Sequence, residues 1–278
     1  MVTGKSGKKR NLIIICVLII FALLCLFPIY MAALNSFKSK AELFTNIIAF
    51  PTELNLDNYV RSYKKMNYFR SFLNTSIIAA VGVGGITVFA SLAGWALCRT
   101  KTKLSKLIFS LFVFSMLIPF NSIMMPLYRM AQILYVDDSK LGLALIYIGL
   151  GVGMAVFMYH GFVKGIPYEI EEASYIDGCN RLQVFFKIVF PMLGNITATV
   201  AIMNLLWMWN DFLLPLIMLS SNENYTLLLS TNMLFGQYSS DWPAILSALV
   251  MAVIPIILVY VLLQKKIIKG AVDSAVKG

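Results

Sequence analysis

Charged residues are scarce in this sequence. Of its 278 residues, 13% are Asp, Glu, Lys or Arg, whereas 59% are hydrophobic and the mean hydropathy is +0.80. Because soluble domains carry roughly a quarter charged residues, a water-soluble enzyme, a disordered tail and a fibrous protein are excluded. At about 20 apolar residues per membrane crossing, the chain is long enough for six spans and their loops.

Groups for metal binding and covalent chemistry are equally sparse. The single histidine, His160, has no second His or Cys placed to share a metal ion. Two of the four cysteines, Cys16 and Cys25, would lie roughly 13 Å apart along one helix, which is too far for a disulfide. No nucleophile with a neighbouring base is evident. We therefore expect no metal site, no cofactor bound by this chain and no enzymatic activity.

Long apolar runs dominate what is present. Each run is long enough to cross a membrane as a helix, which predicts an all-α membrane protein with six transmembrane helices. The six runs are Leu12 to Leu34, Phe72 to Leu97, Leu107 to Tyr128, Leu141 to Val163, Met192 to Leu219 and Pro243 to Leu263.

The distribution of basic residues predicts the orientation of these spans. With the N-terminus inside, 15 Lys and Arg residues fall on the cytoplasmic side and 8 on the outside. This bias predicts that both termini are cytoplasmic. The predicted organisation is a cytoplasmic N-terminus over residues 1–11, a six-span domain over 12–263 and a cytoplasmic tail over 264–278.

One predicted cytoplasmic loop, residues 164–191, is longer than a turn between helices requires. We call it the connecting segment. Pro167 followed by Glu169, Glu171 and Glu172 favours a helix start, because Pro suits the first turn and acidic groups complement the helix dipole. Gly178 is suited to the left-handed turn that ends such a helix. A second short helix is predicted from about Leu182 to Phe190, before Pro191 starts the fifth span.

The first of these helices has a small-residue face. Ile170, Ala173, Ser174 and Asp177 follow one another at helical spacing. Small residues let another surface approach closely, and exposed apolar residues in a loop favour a protein partner. On pattern alone, an amphipathic hairpin lying on the membrane interface is an equal alternative.

A motif in the connecting segment resembles a known family. Glu172-Ala173-Ser174, Gly178, Ile188 and Phe190-Pro191 have the spacing of the Glu-Ala-Ala loop in permease subunits of binding-protein-dependent ABC importers. Ser174 replaces the usual second Ala and Phe190 replaces Leu. Further stretches resemble the carbohydrate-type permeases related to the maltose permease subunit MalG, namely Asn58-Tyr59, Asn74-Thr75-Ser76, Trp209-Asn210-Asp211 with Pro215-Leu216, and Gly270 to Gly278.

The resemblance implies a function that composition alone does not give. It implies a type I importer permease in a bacterial or archaeal plasma membrane, forming half of a sugar or oligosaccharide path. The implied partners are a second, MalF-like permease, two cytoplasmic ABC ATPase subunits that carry ATP and Mg, and an external solute-binding protein. The residues implied to couple to the ATPase are Glu172, Ala173, Ser174, Asp177, Gly178, Ile188 and Pro191. The alternatives are an ABC permease for a non-sugar solute and, less favoured, a secondary transporter acting alone.

The fifth span holds the candidate solute path. Thr197, Asn204 and Asp211 recur every seven residues, which predicts one polar stripe, with Trp207 and Asn210 beside it. Amides, carboxylates and Trp rings are a usual mixture in small-molecule sites. An ionisable residue within a span costs on the order of 3 kcal/mol at the centre, so Asp211 is expected to face protein or water. A structural role for Asp211 is the alternative.

Glycines and prolines in the spans have simpler expected roles. Gly82, Gly84 and Gly85, and Gly149 with Gly153, favour close packing of helices over gating. Pro119, Pro126 and Pro255 are expected to kink their helices.

Overall fold

The computed structural model describes residues 5–236 and 240–276, and every regular element in these ranges is a helix. The all-α prediction is therefore confirmed. Residues 1–4 of the predicted N-terminus and residues 277–278 of the predicted tail lie outside the described residues. The α-helices are α1 (Lys5–Asn35), α2 (Lys40–Thr45), α3 (Asp57–Lys65), α4 (Tyr68–Arg99), α5 (Lys103–Ser115), α6 (Phe120–Ile133), α7 (Lys140–Lys164), α8 (Tyr168–Ile176), α9 (Arg181–Gln183), α10 (Phe190–Met192), α11 (Gly194–Asn210), α12 (Leu213–Met218), α13 (Leu227–Ser230) and α14 (Trp242–Val276).

Four stretches of the described chain are long and apolar enough to cross a membrane as single helices. They are Asn11–Asn35 of α1, α4, α7 and Trp242–Leu262 of α14. Two bent helix pairs bring the number to six if each pair counts as one span. The six predicted runs thus all correspond to helical segments, but two of them are not single straight helices.

The third predicted span is broken. Instead of one helix over Leu107 to Tyr128, α5 ends at Ser115 and α6 starts after Pro119, with an angle of 104° between them. Pro119 is the N-cap of α6 in an extended conformation. Because proline lacks an N–H and clashes with the preceding turn, α5 cannot continue through it. The kink expected at Pro119 is therefore a full break between two helices.

The chain divides into two compact units. The first contains the described parts of Met1–Tyr68 and Thr231–Ile254. In it, α3 packs on the first turns of α14, where the Ser62 hydroxyl donates to Ala244 O at 2.7 Å and that of Ser247 donates to Asn58 O at 3.1 Å. The Asn58 amide also donates to the backbone of Lys38 at 2.9 Å. The segment over residues 36–67 is thus structured and is held by these side-chain hydrogen bonds.

The second unit contains the described parts of Phe69–Ser230 and Pro255–Gly278. Its core is built from α4, α7 and α11 together with the π-helix Val184–Val189. Small residues let helices approach closely: a Cβ at Gly82 of α4 would lie 2.8 Å from Met208 of α11, and one at Gly153 of α7 would lie 2.7 Å from Ser115 of α5. Close packing is therefore confirmed for Gly82 and Gly153, but Gly149 and Gly84 face open space.

Candidate functional site: the connecting segment and the fifth span

Helix α8 has the ends that the sequence predicts. Pro167 is its N-cap, and Glu169 and Glu171 lie in its first turn, where acidic groups favour the helix dipole. At the other end Gly178 has φ +83°, its N–H donates to Tyr175 O, and the Cys179 N–H donates to Ser174 O. These two bonds form a Schellman motif. The predicted left-handed turn at Gly178 is confirmed.

The two sides of α8 differ in their exposure to solvent. Glu172, Ala173 and Asp177 are exposed, whereas Glu171 and Ser174 are buried against their own chain. The Ser174 hydroxyl donates to Ile170 O within the helix at 2.8 Å. The predicted small-residue face is therefore not one continuous outer surface, because Ser174 points inward while Ala173 remains available for contact. Ile170 is only partly exposed, at 37%.

The second predicted helix is present but begins one residue earlier and contains a π-helix. Asn180 caps α9 through a capping box with Gln183, and Val184–Val189 then forms the π-helix. Val184, Phe185 and Val189 are fully buried. In a π-helix the i→i+5 bond brings residues five apart onto one side, which places Val184 and Val189 on the buried side together. Helical structure continues through Pro191 to Met192, and α11 then starts at Gly194.

Apolar side chains remain exposed on this segment. Ile176 is 85% exposed, Leu182 63% and Phe186 50%. They lie on α8, α9 and the π-helix, and Ala173 and Glu172 of α8 are exposed as well. We call these five residues the outer surface of the connecting segment. Of the other motif residues, Ile188 is half-buried and Pro191 is exposed at the start of α10, next to a 78° bend between Arg181–Met192 and α11.

The inner side of α8 is held by a charged network that the sequence analysis missed. The Trp95 Nε1–H donates to Glu171 Oε2 at 2.9 Å, and the Arg99 Nε–H donates to Oε1 at 2.7 Å. Arg99 also donates to Ile166 O at 2.8 Å. Helical spacing places Glu171 and Ser174 on the side opposite Ala173, which could have identified Glu171 as inward-facing, but nothing in the sequence indicates Arg99 as its partner.

This network has an electrostatic effect on a neighbouring group. Tyr175 lies half-buried on α8, and burial together with the negative charge of Glu171 raises the pKa of its hydroxyl above the usual value. Tyr175 therefore stays neutral and can donate a hydrogen bond at any physiological pH.

Asp211 lies at a break in the fifth predicted span. Helix α11 ends at Asn210, Asp211 is its extended C-cap, and α12 starts at Leu213. The Tyr147 hydroxyl donates to Asp211 Oδ2 at 2.9 Å, and the Leu213 N–H donates to Oδ1 at 3.0 Å. The expectation that Asp211 faces protein is confirmed, but the predicted seven-residue helical stripe is wrong at this point, because the helix stops before Asp211 and its carboxylate caps the next helix.

Two of the predicted path residues line one cavity. Asn204 and Trp207 face a cavity of about 350 Å³. The rest of its wall is Met116, Leu150, Gly151, Met154, Met158 and Met203. Asn210 and Asp211 do not line it, and the Asn210 amide donates to Leu206 O at 2.8 Å in its own helix. Trp207 packs edge-on against Tyr147, with ring centroids 5.2 Å apart, so Tyr147 links the cavity wall to Asp211.

The other polar residue of the predicted stripe is already bonded. The Tyr159 hydroxyl donates to Thr197 Oγ1 at 3.1 Å. His160 stacks on Phe109 with ring centroids 3.9 Å apart. In the ranges the structure describes, no group of three His, Cys, Asp or Glu side chains could hold a metal ion.

Comparison with known proteins places this chain among transport permeases. Residues 85–271 match the family described as binding-protein-dependent transport system inner membrane component. The probable starch degradation products transport system permease protein AmyC of Thermoanaerobacterium thermosulfurigenes is 38% identical over 93% of this chain and 94% of its own length. The melibiose/raffinose/stachyose import permease protein MelC of Bacillus subtilis is 33% identical over 99% of this chain and all of its own length.

A solved structure gives the fold. The structure of a bacterial ABC transporter involved in the import of the acidic polysaccharide alginate includes a chain that superposes with a TM-score of 0.82 at 21% identity. The match covers 95% of this chain and 99% of that one. The importer-permease fold expected from the sequence is thus confirmed. The family match spans well over half of the sequence, and this chain belongs to the binding-protein-dependent transport system inner membrane components, the permease subunits of ABC importers.

Proposed function

We propose that this chain is one permease half of an ATP-driven importer for a sugar or oligosaccharide. The observation that carries the proposal is the outer surface of the connecting segment, in which Ile176, Leu182 and Phe186 are exposed, as are Ala173 and Glu172. Large apolar side chains outside the spans favour a protein partner. The similarity to AmyC and MelC supports carbohydrate as the solute class.

In this proposal the outer surface docks on a cytoplasmic ABC ATPase. Glu172, Ala173 and Asp177 contact the ATPase directly, Ser174 and Gly178 fix the shape of α8 and its turn, and Ile188 and Pro191 connect the segment to α11. ATP and Mg bind to two ATPase subunits and hydrolysis takes place there. A second permease and an external solute-binding protein complete the complex in a bacterial or archaeal plasma membrane.

The solute path lies beside α11. Asn204 contributes an amide and Trp207 an aromatic face to the cavity, and such pairs bind the hydroxyls and C–H faces of carbohydrates. Asn210 and Asp211 stand at the end of α11, and Asp211 holds Tyr147 against Trp207. Alternating access then changes the exposure of this cavity. The proposed orientation places residues 1–11 and the tail from 264 in the cytoplasm, around a membrane domain over 12–263.

A crosslinking experiment tests the docking proposal. In a variant whose four native cysteines are replaced, Ala173→Cys should crosslink to the ATPase of the co-purified complex, because Ala173 is exposed. Ser174→Cys is the matched control, since Ser174 is buried against its own chain. Absence of an ATPase crosslink from Ala173→Cys, or labelling of that cysteine from the external side, would overturn the proposal.

A second experiment tests the solute class. The chain would be reconstituted with its second permease, ATPase and binding protein, and ATP hydrolysis measured against a panel of mono- and oligosaccharides, amino acids and oxyanions. We expect stimulation by a carbohydrate. Stimulation by an amino acid or an oxyanion alone would retain the importer and exclude the sugar.

A further inference from the structure

Glu171 is the one carboxylate among the described residues that is fully enclosed by the protein. Its side chain is 1% exposed, and both of its oxygens are occupied. Two nitrogens of Arg99 contact Oε1 at 2.7 Å, and Trp95 donates to Oε2 at 2.9 Å. Glu171 thus cannot reach a partner protein, in contrast to its neighbour Glu172, which is exposed.

The network attaches α8 to the last turns of α4 at several points. Arg99 holds the carboxylate of Glu171 and the carbonyl of Ile166, and its guanidinium lies 5.6 Å from the ring centroid of Tyr168. Trp95 adds contact to the next helix, since its ring centroid is 5.3 Å from that of Phe185. The start of α8, its inner face and the π-helix are therefore all bound to one end of α4.

A buried ion pair of this kind fixes the orientation of α8 relative to α4 more than it stabilises the fold. Well-packed apolar residues could hold two helices together equally well, because desolvation offsets much of the attraction in a buried pair. A guanidinium that donates through two nitrogens is specific in geometry. Helix α8 consequently cannot roll or slide along α4 without breaking several charged hydrogen bonds at once.

Helix α4 is an unbroken helix of 32 residues that reaches the cavity. Ile86 lies directly over Gly151, which lines the cavity together with Asn204. Gly82, one turn further along α4, is in close contact with Met208 of α11. A rigid element thus runs from the connecting segment to the wall of the candidate solute path, whereas the third and fifth spans are interrupted.

We infer that Glu171, Arg99 and Trp95 form the joint that carries displacement of α8 onto α4 and from there to the cavity. The inference rests on the proposed function, because it presupposes an ATPase that moves α8. Glu171 is a positioning residue in this joint, acting through Arg99 and Trp95, and it does not dock on the ATPase.

The test uses the complete reconstituted importer with Glu171→Gln, which preserves size and removes the charge. We expect the ATPase to co-purify in normal amount and basal ATP hydrolysis to stay within about twofold, while solute taken up per ATP falls at least tenfold. Glu169→Gln is the matched control, since Glu169 is an exposed carboxylate in the same first turn. Uptake per ATP of Glu171→Gln equal to that of the control would overturn the inference.

Two further variants separate a joint from a purely structural role. Trp95→Phe retains an aromatic ring against Phe185 and removes only the bond to Glu171, so a two- to fivefold loss of coupling is expected in a folded complex. The apolar pair Glu171→Leu with Arg99→Met should regain thermal stability yet remain uncoupled. Recovery of coupling together with stability in that pair would contradict the inference.

A distance measurement provides a readout independent of transport. Spin labels at Ile176 on α8 and Lys101 beyond the end of α4, both exposed, should give one narrow distance distribution with and without ATP in an otherwise cysteine-free chain. In Glu171→Gln the distribution should broaden, and an unchanged distribution would count against the joint. If the unmodified chain recruits no ATPase, the proposed function itself fails, which is a different result from an intact importer that tolerates Glu171→Gln.

Discussion

Two carboxylates in the second unit are each held by an aromatic donor, but their surroundings differ. Glu171 accepts from Trp95 and is also paired with Arg99, whereas Asp211 accepts from Tyr147 and from backbone N–H groups. Asp211 is half-buried, and no Lys, Arg or His of the described residues forms an ion pair with it. The carboxylate of Glu171 is therefore held in one position by several charged hydrogen bonds, whereas the carboxylate of Asp211 can exchange hydrogen-bond partners.

Under the proposed function, this difference suits the two regions to separate tasks. A connecting segment must transmit a movement without deforming, which several charged bonds around one buried group can ensure. A solute path must change its contacts during a transport cycle, and a partly solvated carboxylate at a helix break would allow this if Asp211 belongs to the proposed path. The helices show the same contrast. Helix α4, which is bound to the connecting segment, is unbroken, whereas the third and fifth spans are interrupted at Pro119 and Asp211.

The largest expected effect comes from deforming the connecting segment at Gly178. Gly178→Val should lower solute uptake more than tenfold, because a β-branched residue at φ +83° is strained by about 1–3 kcal/mol. A Cβ at this position meets nothing within 4 Å, so the effect is one of backbone conformation and not of space. Uptake and solute-stimulated ATP hydrolysis in the reconstituted complex are the measurements.

Asparagine is the matched control at Gly178, because it tolerates positive φ better than other residues. Gly178→Asn should retain most of the uptake. Normal solute-stimulated ATP hydrolysis in Gly178→Val would show that the left-handed turn is not needed for coupling.

The second prediction concerns the less constrained carboxylate. Asp211→Ala should reduce uptake about tenfold, because the buried hydroxyl of Tyr147 loses its acceptor, at a cost of roughly 1–3 kcal/mol. Asp211→Asn retains an acceptor and should stay within about threefold of the unmodified chain. A loss in Asp211→Asn as large as in Asp211→Ala would mean that the charge itself is required, which would place Asp211 in direct contact with the solute.

The third prediction compares two glycines of α7, Gly151 and Gly149, which differ in the space around them. A Cβ at Gly151 would lie 2.5 Å from the Ile86 side chain and 2.8 Å from the side-chain Oδ1 of Asn204, whereas one at Gly149 meets nothing within 4 Å. Gly151→Ala should therefore lower uptake several-fold, while Gly149→Ala should leave uptake unchanged and stabilise α7 by up to about 1 kcal/mol. Uptake assays and thermal unfolding in detergent check both expectations. Equal effects of the two variants on uptake would show that the cavity is not part of the transport path.

The sequence predicted those features that depend on local chemistry. The apolar runs, the helix start at Pro167 and the left-handed turn at Gly178 follow from residues close together in the chain. The Glu171–Arg99 pair joins residues 72 positions apart, and the Tyr147–Asp211 hydrogen bond joins residues 64 positions apart. Such contacts are set by how helices pack, which one sequence does not show. The roles of Asn204, Trp207 and the motif residues in transport stay predictions.

The smallest expected effect belongs to a third carboxylate, Asp138, in the loop between α6 and α7. Its Oδ1 accepts from the N–H groups of Ser220 and Ser221 at 3.0 Å in the loop after α12, and its backbone N–H donates to the O of Met218, the last residue of α12, at 2.8 Å. Burial opposes ionisation, but the hydrogen bonds from Ser221, Asn224 and Ser220 outweigh it and lower the pKa of Asp138.

The pH dependence follows from the sign of this shift. Because the folded pKa lies below the unfolded one, the bridge contributes its full stability above about pH 4 and loses it as the pH falls through the lowered value. Asp138→Gly tolerates the φ of +46° but removes every side-chain acceptor, and it should lower the free energy of unfolding by about 1 kcal/mol at pH 7. The difference from the unmodified chain should shrink below pH 4, as measured by thermal unfolding in detergent. A difference that is independent of pH would show that the charge of Asp138 contributes nothing, and uptake at pH 7 should change less than in any variant at Gly178 or Asp211.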